Sequence, residues 1–229
     1  MESQWLIIGI CGATCSGKTT LAQTCLQLLP EIQIISQDDY FLPKDSDKHT
    51  LIPELNHFNW EIMSSLNMEK MYDEIRMITK DRIIDVNVSE ILKEFSNWDQ
   101  EQELQIMNDE KPIGKEELHV IKNKLRKYNI KILLIEGFSI FNYQPIDELC
   151  HFKFYMCLCY DTCFARRSKR TYDPADVPGY FEKCVWPEHV RSLQEVQRNS
   201  KNVVYISEEY TNKGATVFKH IAFFCKTLF

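Results

Sequence analysis

The chain has 229 residues, of which 44% are hydrophobic and 26% charged, values typical of a soluble globular protein with one domain. Its formal net charge is −6 at pH 7, so there is no overall positive field to attract nucleic acid or an anionic membrane. No apolar stretch approaches the ~20 residues that a membrane span needs. We therefore expect a monomer of residues 1–229 with no nucleic-acid or membrane partner.

Nine cysteines occur along the chain without the spacing of a disulfide framework. Cys11, Cys15 and Cys25 lie in or near a glycine-containing loop, whereas Cys157 and Cys159 lie in an apolar run. The segment before this loop has neither the basic flank nor the cleavage site of a secretory signal. These features are typical of free thiols in a reducing compartment, so we expect a cytoplasmic protein.

The first predicted element is a strand that leads into a phosphate-binding loop. Residues 5–11 form a continuous apolar run, as in a strand buried on both faces. Apolar residues then recur at helical spacing from Leu21 to Leu29 and stop at Pro30. Between them the chain reads Gly12-Ala-Thr-Cys-Ser-Gly-Lys-Thr19, the G-x-x-x-x-G-K-[ST] pattern. Strand, loop and helix in this order indicate a site for nucleotide phosphates.

Each part of this loop has a chemical role toward a triphosphate. Gly12 and Gly17 let the backbone curl so that its N–H groups point inward at phosphate oxygens. Lys18 would reach the β- and γ-phosphates as a catalytic residue, and the Thr19 hydroxyl would ligate Mg²⁺. We expect the loop's ATP-binding residues to be Gly12, Ala13, Thr14, Cys15, Ser16, Gly17, Lys18, Thr19 and Thr20.

Strand-like and helical runs alternate along the rest of the chain. The further strands are predicted at 32–36, 131–135, 152–160 and 203–206, and the helices at about 68–80, 161–169, 187–199 and 214–228. Strands separated by helices favour right-handed crossovers and a parallel sheet that is covered on both faces. The predicted fold class is therefore α/β, with a parallel sheet flanked by helices.

Carboxylates follow two of these strands, where side chains of an open parallel sheet face the ligand crevice. Asp38 comes just after the second strand, and could accept the proton of a substrate hydroxyl. Glu136 ends the third strand, Ile132-Leu-Leu-Ile-Glu136, in the pattern of a carboxylate that binds Mg²⁺. Together with Thr19, it is our predicted metal site.

Residues 81–129 form a charged segment that we expect to be a surface insertion. It is rich in Glu, Lys, Asp and Asn, and two amphipathic helices are suggested within it. The first contains Ile91, Leu92, Phe95 and Trp98, and the second spans residues 115–128.

A cationic helix followed by a proline-containing loop is predicted at about 161–183. Arg166 and Arg170 are four residues apart and would share one helical face. Such a helix could act as a lid that neutralises the transferring phosphoryl group and excludes water.

A guanine-recognition motif is missing, which argues against a GTPase. That motif reads Asn/Thr-Lys-x-Asp, but Asn123-Lys-Leu-Arg and Asn212-Lys-Gly-Ala both lack the aspartate. The phosphate loop therefore favours a kinase over a GTPase.

Several stretches together resemble the nicotinamide riboside kinases, a uridine kinase-like group of P-loop kinases. These are the phosphate loop, Ser36-Gln-Asp-Asp-Tyr-Phe41, Ile135-Glu-Gly-Phe-Ser-Ile-Phe-Asn-Tyr143, Tyr172-Asp-Pro-Ala-Asp176, and Pro178-Gly-Tyr-Phe with Val185-Trp-Pro187. The resemblance implies a P-loop NTPase fold of the adenylate-kinase type with strand order 2-3-1-4-5. It also implies Mg·ATP-dependent phosphorylation of the 5′-hydroxyl of nicotinamide riboside.

The resemblance also implies roles for particular residues. Asp38 would be the catalytic base, Glu136 would belong to the Mg²⁺ shell, and Arg166 and Arg170 would contact ATP. The nucleoside site would be lined by Phe41, Trp60, Arg167, Tyr172 and Asp176.

One position departs from the family pattern, and alternatives remain open. The family usually has an aromatic residue followed by Asp to hold the ribose hydroxyls, whereas this chain has Trp60-Glu61. Glu61 keeps the carboxylate one methylene further out, so we expect ribose binding that is retained but weaker. The alternative functions are a uridine or cytidine kinase, and a nucleotide-binding protein that interacts with a partner without catalysis.

Overall fold

Strands and helices alternate along the chain in the computed structural model, which describes residues 2–85, 114–209 and 213–228. The strands are β1 Gln4–Gly12, β2 Gln33–Ser36, β3 Leu51–Ile52, β4 His57–Phe58, β5 Ile130–Glu136, β6 Phe152–Met156 and β7 Val203–Ile206. The α-helices of the described ranges are α1 Lys18–Leu28, α2 Met68–Thr79, α3 Lys115–Lys127, α4 Gln144–Leu149, α5 Tyr160–Arg167, α6 Trp186–Asn199 and α7 Lys213–Leu228. None of these helices is both long and apolar enough to cross a membrane.

Five strands form one parallel sheet in the order β2-β5-β1-β6-β7. Counted without the short strands β3 and β4, this order is 2-3-1-4-5, as predicted. Strands β3 and β4 pair with each other as a separate antiparallel hairpin. This hairpin was not predicted from the sequence, because strands of two residues are too short to show an alternation of apolar and polar residues.

The strand register places three chain segments side by side at one edge of the sheet. Glu136 at the end of β5 pairs with Ile10 of β1 on one side and with Ser36 of β2 on the other. The phosphate loop follows β1 immediately, and Asp38 follows β2. The carboxyl ends of parallel strands are where an open α/β sheet binds ligands.

Two hydrophobic layers lie on the two faces of the sheet, and a smaller third cluster includes Cys163 and Tyr180. Alternate residues of β1 point to opposite layers, with Leu6 and Ile8 in one and Ile7 and Cys11 in the other. Helices α1, α3 and α7 cover the first layer, and α2, α4 and α6 cover the second. Burial on both faces explains why β1 and β5 read as continuous apolar runs.

The predicted elements differ from the structure at several ends. Strand β6 stops at Met156, because Cys159 already occupies the cap position of α5. Helix α5 ends at Arg167, two residues earlier than predicted.

The charged segment at 81–129 is described in part. Its second predicted helix is α3, and Ile121 and Leu125 of that helix are buried against the sheet. The helix predicted around Ile91, Leu92, Phe95 and Trp98 lies outside the described residues.

Candidate active site

The phosphate loop connects β1 to α1, and its backbone has positive φ angles that favour glycine. Gly12 has φ +139°, and a Cβ there would lie 2.4 Å from the Met156 carbonyl oxygen. Gly17 has φ +94° and caps α1, while Cys15 adopts φ +60°. Gly12 and Gly17 therefore allow a tight curl of the backbone, in which the N–H groups of the loop and the N-terminus of α1 point toward one position.

Lys18 is folded back over the loop. Its Nζ donates hydrogen bonds to the carbonyl oxygens of Gly12, at 3.1 Å, and Ala13, at 2.8 Å. The ammonium group is thereby held above the N–H groups of the loop. An anion bound there would meet a positive charge and a helix N-terminus together.

A buried carboxylate lies beside this loop. Glu136 is 3% exposed, and its Oε1 accepts hydrogen bonds from Thr19 Oγ1 at 3.1 Å and from Ser36 Oγ at 2.8 Å. The two predicted metal ligands, Thr19 and Glu136, are therefore in direct contact. Within the described ranges, no three His, Cys, Asp or Glu side chains group as a complete metal site.

Asp38 is exposed next to this carboxylate, on a short 3₁₀ turn over Gln37–Tyr40. The preceding side chain fixes the turn, because the Gln37 amide donates to Ser139 Oγ at 3.1 Å and accepts from Ser139 N at 3.1 Å. Gly137 makes room for it, since a Cβ there would lie 2.5 Å from the Gln37 Cβ. The ends of β2 and β5 are thus joined by a buried amide.

A cavity of about 500 Å³ extends from the phosphate loop. One end is lined by Lys18 and Thr19, and Asp38 also lines it. The other end has aromatic walls. Phe41 lies 6.0 Å from Trp60, edge to face, and 6.0 Å from Phe138, stacked, as measured between ring centroids. Such walls suit a flat heterocyclic ring.

Arg167 is the charged centre of the aromatic end and is only 6% exposed. Its guanidinium donates to both oxygens of Asp176, at 2.6 and 3.0 Å, and pairs with Glu61 Oε1 at 2.9 Å. It also lies 4.4 Å over the Tyr172 ring and 5.7 Å over the Tyr180 ring. Two carboxylates and two rings hold this cation in place.

Burial sets the ionisation of this cluster. Burial raises the pKa of Glu61, and the charge of Arg167 opposes that rise. Burial acts to lower the pKa of Arg167, but the hydrogen bond to Asp176 and the charge of Glu61 outweigh it and raise the pKa. The guanidinium therefore stays charged, and its charge favours the ionised form of Glu61.

Arg166 and Arg170 do not share a helical face, contrary to our expectation. Helix α5 ends at Arg167, and a tight turn with a hydrogen bond from Arg170 N to the Arg167 carbonyl oxygen follows it. Arg170 lines the large cavity, whereas Arg166 Nη1 donates to the Cys15 carbonyl oxygen at 3.2 Å. The two arginines approach the phosphate loop from different directions.

The cavity brings together most of the predicted site residues. Those that line it are Thr14, Cys15, Gly17, Lys18, Thr19, Thr20, Asp38, Phe41, Trp60, Glu61, Glu136, Arg167, Arg170, Tyr172 and Asp176. Gly12, Ala13, Ser16 and Arg166 were also predicted but do not line it. Of these, Ala13 lines a much smaller neighbouring cavity.

Sequence reasoning missed several residues of the cavity wall. Phe138 and Tyr180 stand in the stretches that carry the family resemblance, so a signal for them was present. Asp173 also stands in such a stretch, whereas Lys44 gave no signal. They form an ion pair across the cavity mouth, between the segment after Asp38 and the loop after α5.

Comparison with known proteins assigns the family. The model of the phosphoribulokinase/uridine kinase family matches residues 7–175. Nicotinamide riboside kinase 1 of Homo sapiens is 34% identical over 203 residues, covering 87% of this chain and 82% of the relative. Nicotinamide riboside kinase 2 of Mus musculus is 29% identical over 209 residues, covering 91% and 90%. A uridine kinase of Borreliella burgdorferi is 25% identical over 167 residues, covering 72% and 66%.

These matches extend over most of the chain, including the phosphate loop, Asp38, Glu136 and Arg167, and they confirm the resemblance seen in the sequence. The chain therefore belongs to the phosphoribulokinase/uridine kinase family and, within it, to the group of the nicotinamide riboside kinases.

Proposed function

We propose that the protein transfers the γ-phosphoryl group of ATP to the 5′-hydroxyl of nicotinamide riboside, giving nicotinamide mononucleotide. The observation that carries this proposal is the continuous cavity that joins the phosphate loop to an aromatic chamber, with Asp38 on its wall. The names of the relatives support nicotinamide riboside as the acceptor. The reaction class is phosphoryl transfer to an alcohol.

On the donor side, the loop residues and two cations would hold the triphosphate. Backbone N–H groups from Ala13 to Thr19 surround the phosphates, and Lys18 exchanges its carbonyl partners for phosphate oxygens. Arg170, which lines the cavity, adds charge near the transferring group. Because little covalent chemistry falls to the protein, positioning and charge stabilisation would provide most of the acceleration.

The residues beside the loop fit a magnesium ion. Thr19 and Glu136 offer a hydroxyl and a carboxylate oxygen 3.1 Å apart, and such hard oxygen ligands suit Mg²⁺. One or two protein ligands are enough, because Mg²⁺ in kinases keeps waters and phosphate oxygens as its other ligands. When bound, the ion would neutralise charge on the β- and γ-phosphates.

On the acceptor side, Asp38 would accept the proton of the 5′-hydroxyl as the phosphoryl group arrives. It follows β2 on the turn held by the Gln37 amide and lines the cavity, which supports this role. Glu61 and Asp176 would bind the ribose hydroxyls while Arg167 keeps both carboxylates in position. Phe41, Trp60 and Tyr172 would enclose the base.

The wider organisation belongs to the same proposal. Residues 1–229 would form one kinase domain, acting as a monomer, with a charged insertion at about 81–129, of which α3 packs into the core, and a lid at about 161–183. Closure of the lid would exclude water from the transfer. The nine cysteines form no disulfide, which supports a reducing, cytoplasmic setting.

A coupled assay with purified protein tests the proposal. Nicotinamide riboside, nicotinic acid riboside, uridine and cytidine are compared as acceptors, each with Mg·ATP and with Mg·GTP. We expect the highest kcat/KM for nicotinamide riboside with Mg·ATP. A higher kcat/KM for uridine or cytidine would replace this substrate with a pyrimidine nucleoside.

The variant Glu136→Gln tests the metal assignment within the same assay. It keeps the size of the side chain but removes the charge, so we expect the Mg²⁺ concentration for half-maximal rate to rise about tenfold or more. An unchanged Mg²⁺ dependence would exclude Glu136 from the metal site. The variant Ser36→Ala removes only a hydrogen bond to Glu136 and leaves its charge, so its Mg²⁺ dependence should change less than that of Glu136→Gln.

A further inference from the structure

His49 lies behind the wall of the nucleoside end and has no role in the reaction proposed above. Its side chain is 9% exposed, and its Nε2 lies 2.8 Å from the Pro43 carbonyl oxygen. Because a carbonyl oxygen can only accept, this nitrogen carries the proton and donates. His49 therefore holds the backbone of a segment six residues earlier in the chain.

That segment forms part of the cavity wall. Phe41, Leu42, Pro43 and Lys44 all line the cavity. The Leu42 N–H is fixed by the Ser65 carbonyl oxygen at 2.9 Å, but Pro43 has no N–H to donate. The backbone at Pro43 can therefore be fixed only through hydrogen bonds to its carbonyl oxygen. It accepts from His49 Nε2 and from the N–H of Ser46, at 2.9 Å.

The same imidazole supports the opposite wall. Its ring centroid lies 4.2 Å from that of Trp60, at an interplanar angle of 52°. Its Nδ1 carries no proton and lies 3.4 Å from Ser65 Oγ, a contact without a hydrogen bond, because that hydroxyl donates its single proton to the Asn59 carbonyl oxygen at 2.6 Å. Through its hydrogen bond to Pro43 and its ring contact with Trp60, one buried side chain thus connects the Phe41–Lys44 segment with Trp60.

We propose that His49 is a positioning residue for nucleoside binding, acting through Pro43 and Trp60 without touching the substrate. This inference rests on the proposed function, because it assumes that the aromatic chamber binds the nucleoside. Apart from a single β-bridge between Phe41 and Leu66, these parts of the two walls lie outside the strands and helices of the described ranges. Small errors in such positions are costly, since a misplacement of about 1 Å can lower a rate about a hundredfold.

Two substitutions separate the hydrogen bond from the ring. His49→Phe keeps a ring against Trp60 but cannot donate to Pro43, whereas His49→Gln keeps an N–H donor at similar reach. His119→Phe, on the exposed surface of α3, is the matched control. For each protein we would measure KM and kcat for nicotinamide riboside and for ATP, together with the melting temperature.

For His49→Phe we expect a nucleoside KM about tenfold higher, with the KM for ATP within about twofold of wild type. His49→Gln should stay within about threefold of wild type for both substrates. A purely structural role would instead lower the melting temperature and the active fraction, without a selective effect on the nucleoside. Amide hydrogen exchange of residues 42–48 gives a second readout that needs no activity, and it should be faster in His49→Phe alone.

The inference is overturned if folded His49→Phe binds the nucleoside like wild type, or if the KM values for ATP and nucleoside rise together. It is also overturned if His49→Gln is as impaired as His49→Phe. Failure of the proposed function has a different signature, namely that wild-type protein does not phosphorylate nicotinamide riboside. In that case the exchange rates still decide whether His49 holds the segment.

Discussion

Glu61 and Arg167 form a buried ion pair at 2.9 Å, inside the chamber that we assign to the nucleoside. Glu61 stands where the family usually has aspartate, so its longer side chain was expected to change the ribose contact. In the structure the extra methylene is accommodated, because the carboxylate still reaches a guanidinium that Asp176 fixes on its other side. The departure from the family pattern therefore keeps a carboxylate in the chamber.

Removing the charge of Glu61 tests this assignment. We expect Glu61→Gln to raise the nucleoside KM about tenfold or more with little change in the KM for ATP, since one partner of a buried pair is lost. Glu61→Asp keeps the charge and should be the milder change. Steady-state kinetics with each substrate varied in turn provide the measurement. If Glu61→Ala leaves the nucleoside KM unchanged, Glu61 has no part in ribose binding.

Lys18 distinguishes catalysis from nucleotide binding without transfer. Lys18→Ala removes the ammonium group that lies over the phosphate loop, so kcat should fall by at least about a thousandfold. Single-turnover phosphoryl transfer measures this loss. Lys122→Ala, on α3, is the control and should behave like wild type. A cellular effect that survives Lys18→Ala would favour the partner-binding alternative.

The two loop glycines should respond differently to alanine. In Gly12→Ala the new Cβ would lie 2.4 Å from the Met156 carbonyl oxygen, a clash with backbone, so we expect a loss of about 3 kcal/mol or more. In Gly17→Ala no atom lies within 4 Å of the new Cβ. Only its positive φ is strained, which costs about 1–2 kcal/mol. Urea unfolding of both variants compares these values, and equal losses would contradict the geometry.

The sequence predicted the donor side of the site better than the acceptor side, for physical reasons. The phosphate loop and Glu136 are set by local pattern, because a strand end and a helix start fix where their side chains point. Lys44 reaches the cavity, and His49 supports its wall, only through the fold of a loop, which no short pattern encodes. The prediction that Arg166 and Arg170 share a helical face was wrong, because the helix ends at Arg167. Hydrophobic periodicity determines the ends of helices and strands poorly.

The Lys44–Asp173 pair across the cavity mouth should have a small, salt-dependent effect. Both side chains are exposed, at 59% and 84%, so the pair contributes at most about 1 kcal/mol. We expect Lys44→Asp to raise the nucleoside KM less than about fivefold at low salt, and high salt should remove the difference. The double variant Lys44→Asp with Asp173→Lys should restore the wild-type KM. No recovery in the double variant would mean that the two residues act independently.

Stability should fall on acidification because of a half-buried histidine, His189, outside the proposed chemistry. Burial, and to a smaller extent the charge of Lys18, lower the pKa of His189 to about 4. The unfolded chain takes up the proton near the ordinary value of 6.5, so the stabilisation is complete above that pH and is lost as pH falls toward 4. Burial lowers the pKa of His151 and His220 as well, in the same direction.

Between pH about 7 and about 5, His189 alone should account for about 2 kcal/mol of unfolding free energy. Urea unfolding at both pH values measures it, with His189→Asn as the test variant and His119→Asn, on the exposed surface of α3, as the control. The informative quantity is the change with pH, because His189→Asn also alters packing at both pH values. A pH dependence in His189→Asn as steep as in wild type would show that this imidazole is accessible to protons in the folded protein. The loss on acidification would then have to come from His57, His151, His220 or the carboxylates.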